Sequence, residues 1–219
     1  MLSAIFRTFV QVIITAVITA CATTHAAAAT AAEFDSPCTY KGKGGTYRWK
    51  AKIDPARVHV VAADHKLIPS QLFAWTGGRG KITATTPRQG REKEWFQITG
   101  RVTLVRLEND GDLHVQLANA NGATPIQVVV EIPSGKVWCG IRQMIFGWTG
   151  TTFPIVTAGK ELKLVRKPIV RATGKAFWDG THSSKPVHAT DARFNQRNYD
   201  SNSSVWEIHP VMKLEEISH

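Results

Sequence analysis

At 219 residues, 43% hydrophobic and 20% charged, the chain can bury the core of one ordinary domain, which excludes a fibrous or low-complexity polymer. Its formal charge of +10 is uneven: residues 38–93 hold twelve Lys and Arg against Asp54, Asp64 and Glu92, a net of +9, whereas residues 94–219 hold fourteen against twelve, a net of +2. Such a basic segment suits nucleic acid, an anionic lipid surface or an acidic glycan through a salt-sensitive attraction, and equally suits a merely soluble surface.

The N-terminal stretch stands apart. Arg7, an apolar run from Phe9 to Ala20 and then small residues have the layout of a secretory signal peptide, over residues 1–21. The run is too short to span a bilayer comfortably, so no transmembrane helix is expected in the mature chain. Ile18-Thr19-Ala20-Cys21 has the form of a lipobox, in which Cys21 would become the lipidated first residue. The alanines from Ala26 to Ala32 offer ordinary cleavage before about residue 33 instead. Either way the protein is expected in the periplasm, the cell envelope or the medium. Export leaves Cys38 and Cys139 as the remaining cysteines, and an oxidising compartment makes them a disulfide. A zinc site would ask for more ligands at closer spacing.

Residues 22–37 read as a tether and 38–93 as a basic N-terminal extension. Within it "TYRWKAKID" alternates, Tyr47, Trp49 and Ala51 against Arg48, Lys50 and Lys52, which is a strand period. "VHVVAADHKLIPSQLFAW" reads as a short strand, a turn and a short helix from near Ser70. The Gly-, Thr- and Pro-rich "TGGRGKITATTPRQGREKE" is a loop.

The main domain, 94–219, opens with a long strand, "WFQITGRVTLVRLE". A hairpin turn at "NDGD" follows, where Asp110-Gly111 supplies left-handed geometry. "LHVQLAN" returns with Leu113, Val115 and Leu117 inward and Asp112, His114 and Gln116 outward. "IQVVVEIP" is a third strand. Val137, Ile141 and Ile145 then fall at helical spacing, with Ser134 as N-cap. "KELKLVRKPIVRATGKAFWD" holds one long or two short strands, and "SVWEIHPVMKLEEI" is the last. In it Trp206 and Ile208 face the core, Glu207 and His209 face out, and Pro210 marks an edge or bulge. Three meander strands, a helix and two more strands give a mainly β fold, a five-stranded OB-fold-like Greek-key barrel with one helix between strands three and four.

Three acid–histidine pairs recur, Asp112 with His114, Asp179 with His182 and Glu207 with His209. Imidazole beside carboxylate suits a divalent metal or general acid–base work, hence a metal-dependent hydrolase or nuclease; more often it is a structural pair that pins a turn or strand edge. Asp112 is placed to shape its own turn. No Walker loop, dinucleotide fingerprint, HExxH, GxSxG or Cys–His signature occurs, which lowers the claim of the common enzyme classes. Barrels of this kind also bind single strands or oligosaccharides on aromatics in a basic groove. Trp49, Trp75, Trp95, Trp138, Trp148 and Trp178 are the aromatics, and Arg48, Lys50, Lys52, Arg101 and Arg106 the cations, with Trp49 the best platform. The sequence favours binding of single-stranded nucleic acid, an acidic glycan or an acidic partner over catalysis, with no cofactor unless a divalent metal. A structural envelope module is the remaining alternative.

In order, "RWKAKID", "ENDGDLHVQL", "VVVEIP" with Cys139 after it, "TGKAFWDGTH" and "WEIHPVMKLEEI" resemble a group of exported, largely uncharacterised bacterial proteins. These carry RWxxKxxxD, DGDxH, EIP…C and (W)E(I/L)HPV segments. The resemblance runs from about Tyr47 to Ile217 and implies an OB-like fold and secretion. It breaks at the polar insert 183–204, where relatives carry a glycine-rich run.

Overall fold

The computed structural model describes residues 32–55, 61–77, 82–122, 124–155, 157–183 and 196–218. The segment read as a signal peptide, with Cys21, most of the segment read as tether and residues 184–195 of the insert lie outside them. In chain order come α1 (Trp49–Lys52), β1 (Lys66–Leu67), α2 (Pro69–Phe73), β2 (Trp95–Leu107), β3 (Leu113–Ala118), β4 (Gln127–Ile132), α3 (Cys139–Phe146), β5 (Lys160–Leu162), β6 (Ile169–Trp178) and β7 (Ser203–Ser218).

The expected barrel is present. β2, β3, β4, β7 and β6 neighbour one another in that order, and β6 pairs back on β2 to close the ring. All pairs are antiparallel except β4 with β7. Closure leaves no free edge among these five strands. β2 achieves it by length: Trp95–Arg101 pair with β6, and Arg101–Leu107 pair with β3. The inward residues Ile98, Val102, Val105, Leu113, Val115, Leu117, Val128, Val130 and Ile208 are almost fully buried. Each such side chain contributes roughly 1.5–3 kcal/mol when taken from water.

The "NDGD" turn forms as read, with Gly111 at φ 93°. The carboxylate that shapes it belongs to Asp110, which accepts from the Asp112 amide at 3.3 Å, and the Asp112 carboxylate takes no part in the turn. α3 lies between β4 and β6, but Ser134 does not cap it. A 3-10 turn, Lys136–Trp138, leads straight into the helix, and Trp138 occupies the cap position without a side-chain bond. Val137 is accordingly exposed while Ile145 is buried.

At Pro210 the β6–β7 register jumps: Gly174 faces Val211 and Ala176 faces Ile208, so His209 and Pro210 together oppose Lys175. This is the bulge anticipated from the proline, and the His209–Pro210 peptide is cis. Gly174 is needed there, since a Cβ on it would fall 2.2 Å from the Pro210 carbonyl oxygen.

The basic extension is built onto the barrel, and its first segment is not a strand. Trp49–Lys52 is a single helical turn preceded by Arg48 in left-handed conformation. The six alternating residues from Tyr47 to Lys52 are few enough to fit either period, and the contacts of Arg48 decide between them. Its guanidinium makes two bonds of 2.7 Å to Glu92, lies 4.6 Å above the Phe177 ring, and is 2% exposed. Phe34, in the segment read as tether, is fully buried and exchanges two backbone hydrogen bonds with Ile155. The Cys38–Cys139 disulfide joins this entry segment to the start of α3. Nearby, Arg142 donates to the Pro37, Gly111 and Ile132 carbonyls.

Candidate functional site

The side chains read as facing out of the barrel do not face water. Asp112, His114, Glu207 and His209 are each at most 2% exposed. They leave the barrel wall as the alternation predicts, but α1 and residues 196–199 lie over that wall. Between wall and cover is a cavity of about 210 Å³, lined among others by Lys52, Arg106, His114, Glu131, Asp179 and His182.

Two of the acid–histidine pairs, Asp112 with His114 and Glu207 with His209, therefore converge with exchanged partners, and the third lines the same cavity. β3 and β4 pair in a register that puts His114 opposite Glu131. The His114 Nδ1 and Glu131 Oε1 atoms are 3.1 Å apart, and His114 Nε2 has no partner. β7, parallel to β4, brings His209 to the same place. Its Nε2 lies 3.3 Å from Asp112 Oδ2, and its Nδ1 lies 3.4 Å from Glu131 Oε2 and 3.5 Å from Glu207 Oε2. These are ion-pair distances outside hydrogen-bonding geometry. Glu131 thus bridges His114 and His209.

The third pair forms as read, with His182 Nδ1 donating to Asp179. Arg197 connects it to the rest, donating to Glu207, to Asp179 at 3.4 Å, to the Tyr199 hydroxyl at 2.9 Å and to the Ser204 carbonyl at 2.9 Å. Lys52 reaches in from α1 and pairs with Asp110 at 3.3 Å.

Burial and charge pull against each other here. Burial pushes the Asp112 carboxyl up. It would also raise Glu131, but the hydrogen bond with His114 and the charges of His209 and Lys52 hold that carboxyl well below the ordinary range. Burial alone would lower His209; the Asp112 and Glu207 carboxylates, with the charge of Glu131, push it up to about 9. Burial and the charge of Glu131 raise Glu207 despite Arg197. Lys52 and Arg197, each surrounded by acids, stay charged.

Of the six residues read as metal-binding, Asp112 and His209 approach one another together with Glu131, all offering donor atoms within 4.8 Å. His114 is adjacent, whereas Asp179, His182 and Glu207 are engaged by Arg197 or one another. Glu131 and Arg197 carry no signal of their own in the sequence. Glu131 looks like the end of a β-branched run, and Arg197 lies in a polar insert. An acid inside "VVVEIP" that pairs opposite a histidine is the available signal for the first.

The residues read as ligand-binding divide. Lys52 and Arg106 line the cavity. Arg48 is spent on Glu92, and Arg101, five residues before Arg106 on β2, donates to the Lys167 and Ala120 carbonyls. Lys50 is exposed and Trp49 half-buried beside it. Trp138, Trp148 and Trp178 belong to the core. Trp75 packs on Phe96 and Trp206, under Arg91. Trp95 is half-buried, with Lys175 at 5.8 Å.

No helix among the described residues is long and apolar enough to cross a membrane. No family model matches the sequence, and neither a curated protein nor a solved structure matches it.

Proposed function

We propose that the protein is an exported hydrolase of an anionic substrate, working in the cavity under α1. The observation that carries this reading is the His114–Glu131 pair at 3.1 Å on the wall of a cavity that Lys52 and Arg106 also line, with the buried His114 Nε2 left without a partner. A carboxylate on one imidazole nitrogen fixes ring and tautomer and leaves the other nitrogen to take a proton from water. Lys52 and Arg106, paired at rest with Asp110 at 3.3 Å and Glu108 at 3.7 Å, are the cations that would turn to an anionic group held against that water. The fixed Arg197–Glu207–Asp179 network keeps the wall rigid, as precise positioning requires. The leader sequence supports an exported location, and the basic extension supports an anionic substrate.

The test is turnover by the purified chain of bis(p-nitrophenyl) phosphate, of a single-stranded oligonucleotide and of polygalacturonate. Replacing His114 by Gln lowers the rate on the accepted substrate by about 10²–10⁴-fold, the usual worth of a general base. Absence of turnover on all three, or full activity in H114Q, sinks the hydrolase.

A second reading, binding without chemistry, is supported by a separate groove of about 360 Å³ that carries Lys50, Arg88, Lys93 and Lys175 against Asp54. Arg88 has no carboxylate partner among its hydrogen bonds and donates to the Ala51, Glu92, Ala176 and His209 carbonyls. Oligonucleotide affinity that falls steeply with salt and weakens in K50A/K93A supports it. Affinity indifferent to both salt and these lysines removes it.

A further inference from the structure

We infer that Asp112, Glu131 and His209 form a binding site for one divalent transition-metal cation. The inference deepens the hydrolase reading, since Glu131 also lines the cavity while Asp112 and His209 lie behind it, but it stands on its own geometry. The three residues come from three places in the chain: the turn before β3, the end of β4 and the bulge of β7. Barrel closure brings them together, with donor atoms all within 4.8 Å of one another.

Two fully buried side chains that face each other without a hydrogen bond point to an ion rather than to an acidic cluster that merely exists. The first is the histidine. His209 is 0% exposed, and neither ring nitrogen has a hydrogen bond, although three carboxylates surround it at 3.3 to 3.5 Å. The second is Asp112. Its carboxylate is 0% exposed, and neither oxygen has a hydrogen-bond partner. Buried carboxylates and imidazoles are ordinarily satisfied, and leaving several donor atoms unmet at one point is costly. One cation would take the place of a proton on His209 and engage one of its nitrogens with one oxygen each of Asp112 and Glu131, leaving the other nitrogen to a neighbouring carboxylate.

The donor set names the class of ion. One imidazole and two carboxylates suit Mn²⁺, Fe²⁺ or Zn²⁺. The absence of sulfur from the set argues against Cu⁺, and three ligands fall short of the six to eight oxygens that Ca²⁺ takes. The surroundings have the form of an outer shell. The other Glu131 oxygen is held by His114, and Glu207, beside His209, is held by Arg197. Such partners orient ligands and tune the ion. Glu131 and His114 also line the cavity, so an ion on Glu131 would lie next to the bound substrate and to His114. There it would supply a Lewis acid for a bound anionic group.

The experiment is metal binding by the full chain, untagged and stripped with chelator, followed by calorimetry with Mn²⁺ and Zn²⁺. One ion per chain is expected, with a rise in melting temperature. D112N and H209Q should each weaken binding at least 100-fold, while H114Q retains one ion with at most about a 10–100-fold loss, as for an outer-shell change. No saturable binding by the wild type, or unaltered binding in folded D112N, overturns the site. H209Q removes a buried group, so circular dichroism first checks its fold, and a second measurement uses the wild type alone. Substoichiometric Mn²⁺ broadens the backbone resonances of residues around Asp112, Glu131 and His209 first; broadening centred elsewhere overturns the inference. Metal binding without turnover leaves the site standing and removes the hydrolase. Turnover that depends on His114 and persists in chelator, with no ion bound, does the reverse.

Discussion

Arg197 and Glu207 form a buried ion pair, neither more than 3% exposed, between the end of the polar insert and the closing strand. Arg197 also serves Asp179, Tyr199 and a backbone carbonyl, so one guanidinium pairs with two buried carboxylates and fastens the cover of the cavity to its wall. Removing it strands Glu207 and leaves Asp179 to His182 and Thr181. R197A should cost about 3–5 kcal/mol, the usual penalty for breaking a buried pair. R197A/E207Q should recover part of that loss, because one stranded charge goes. Urea unfolding measures both. A loss under about 1 kcal/mol, the worth of an exposed pair, or no recovery, contradicts the coupling.

The approach of β6 to the β7 bulge makes Gly174 a packing requirement. A methyl group there meets backbone, which cannot swing aside, at 2.2 Å from the Pro210 carbonyl oxygen, and the Ile208 side chain at 2.7 Å. G174A should destabilise by about 3 kcal/mol, the upper part of the overpacking range. It should also disturb His209, which lies in the same bulge. Gly140 in α3 is the control: nothing lies within 4 Å of its added Cβ. G140A should be neutral or stabilise by about 0.5–1 kcal/mol through helix propensity. Thermal melts of the two variants separate the effects, and equal shifts would remove the packing role of Gly174.

The barrel was legible because its strands carry local signals. Period-two alternation from Trp95 to Leu107, Asp110-Gly111 at the turn and a change of period after Pro133 each lie within a dozen or so residues. The site was only half legible. Strand alternation put Asp112 with His114 and Glu207 with His209 on common faces, but the contacts cross strands. The His114–Glu131 pairing follows from the hairpin register, whereas the meeting of His209 with Asp112 and Glu131 depends on the non-local parallel pairing of β4 with β7. Burial of that face was not legible either. It comes from Lys52 and Arg197, whose segments read as an exposed basic strand and a polar insert.

The disulfide ties an entry segment with little secondary structure of its own to α3, across 101 residues of sequence. Loop closure of that size is worth about 4–5 kcal/mol in the chain-entropy model, and removal of native bridges costs about 2–5 kcal/mol. C38A/C139A should lose stability in that range while Arg142, which bonds the Pro37 carbonyl, holds part of the segment in place. Denaturation with and without reductant tests this. The wild type should fall to the stability of the double variant when reduced, and a wild type indifferent to reductant would be evidence against the bridge.

The His182–Asp179 contact gives stability a defined dependence on pH. The hydrogen bond to Asp179 raises His182 above its ordinary 6.5, against burial and the charge of Arg197. A histidine raised on folding contributes fully below the unfolded value and loses that contribution as pH rises through the folded one. Burial would raise Asp179, but His182, Arg197 and Thr181 together lower it from 3.8 to about 2. A carboxylate lowered on folding contributes above the unfolded value and loses that contribution as pH falls toward the folded one. The pair is therefore most stabilising between about pH 4 and 6.5. The His182 side chain is half exposed, which screens the interaction and keeps it small. The stability difference between wild type and H182Q should be largest near pH 5, shrink as pH rises above about 6.5, and shrink again below about pH 4. Chemical denaturation at about pH 3, 5 and 8, one point in each regime, measures it. A difference that grows from the middle point to the alkaline one would reverse the expected sign and make the neutral ring the stabilising form of His182.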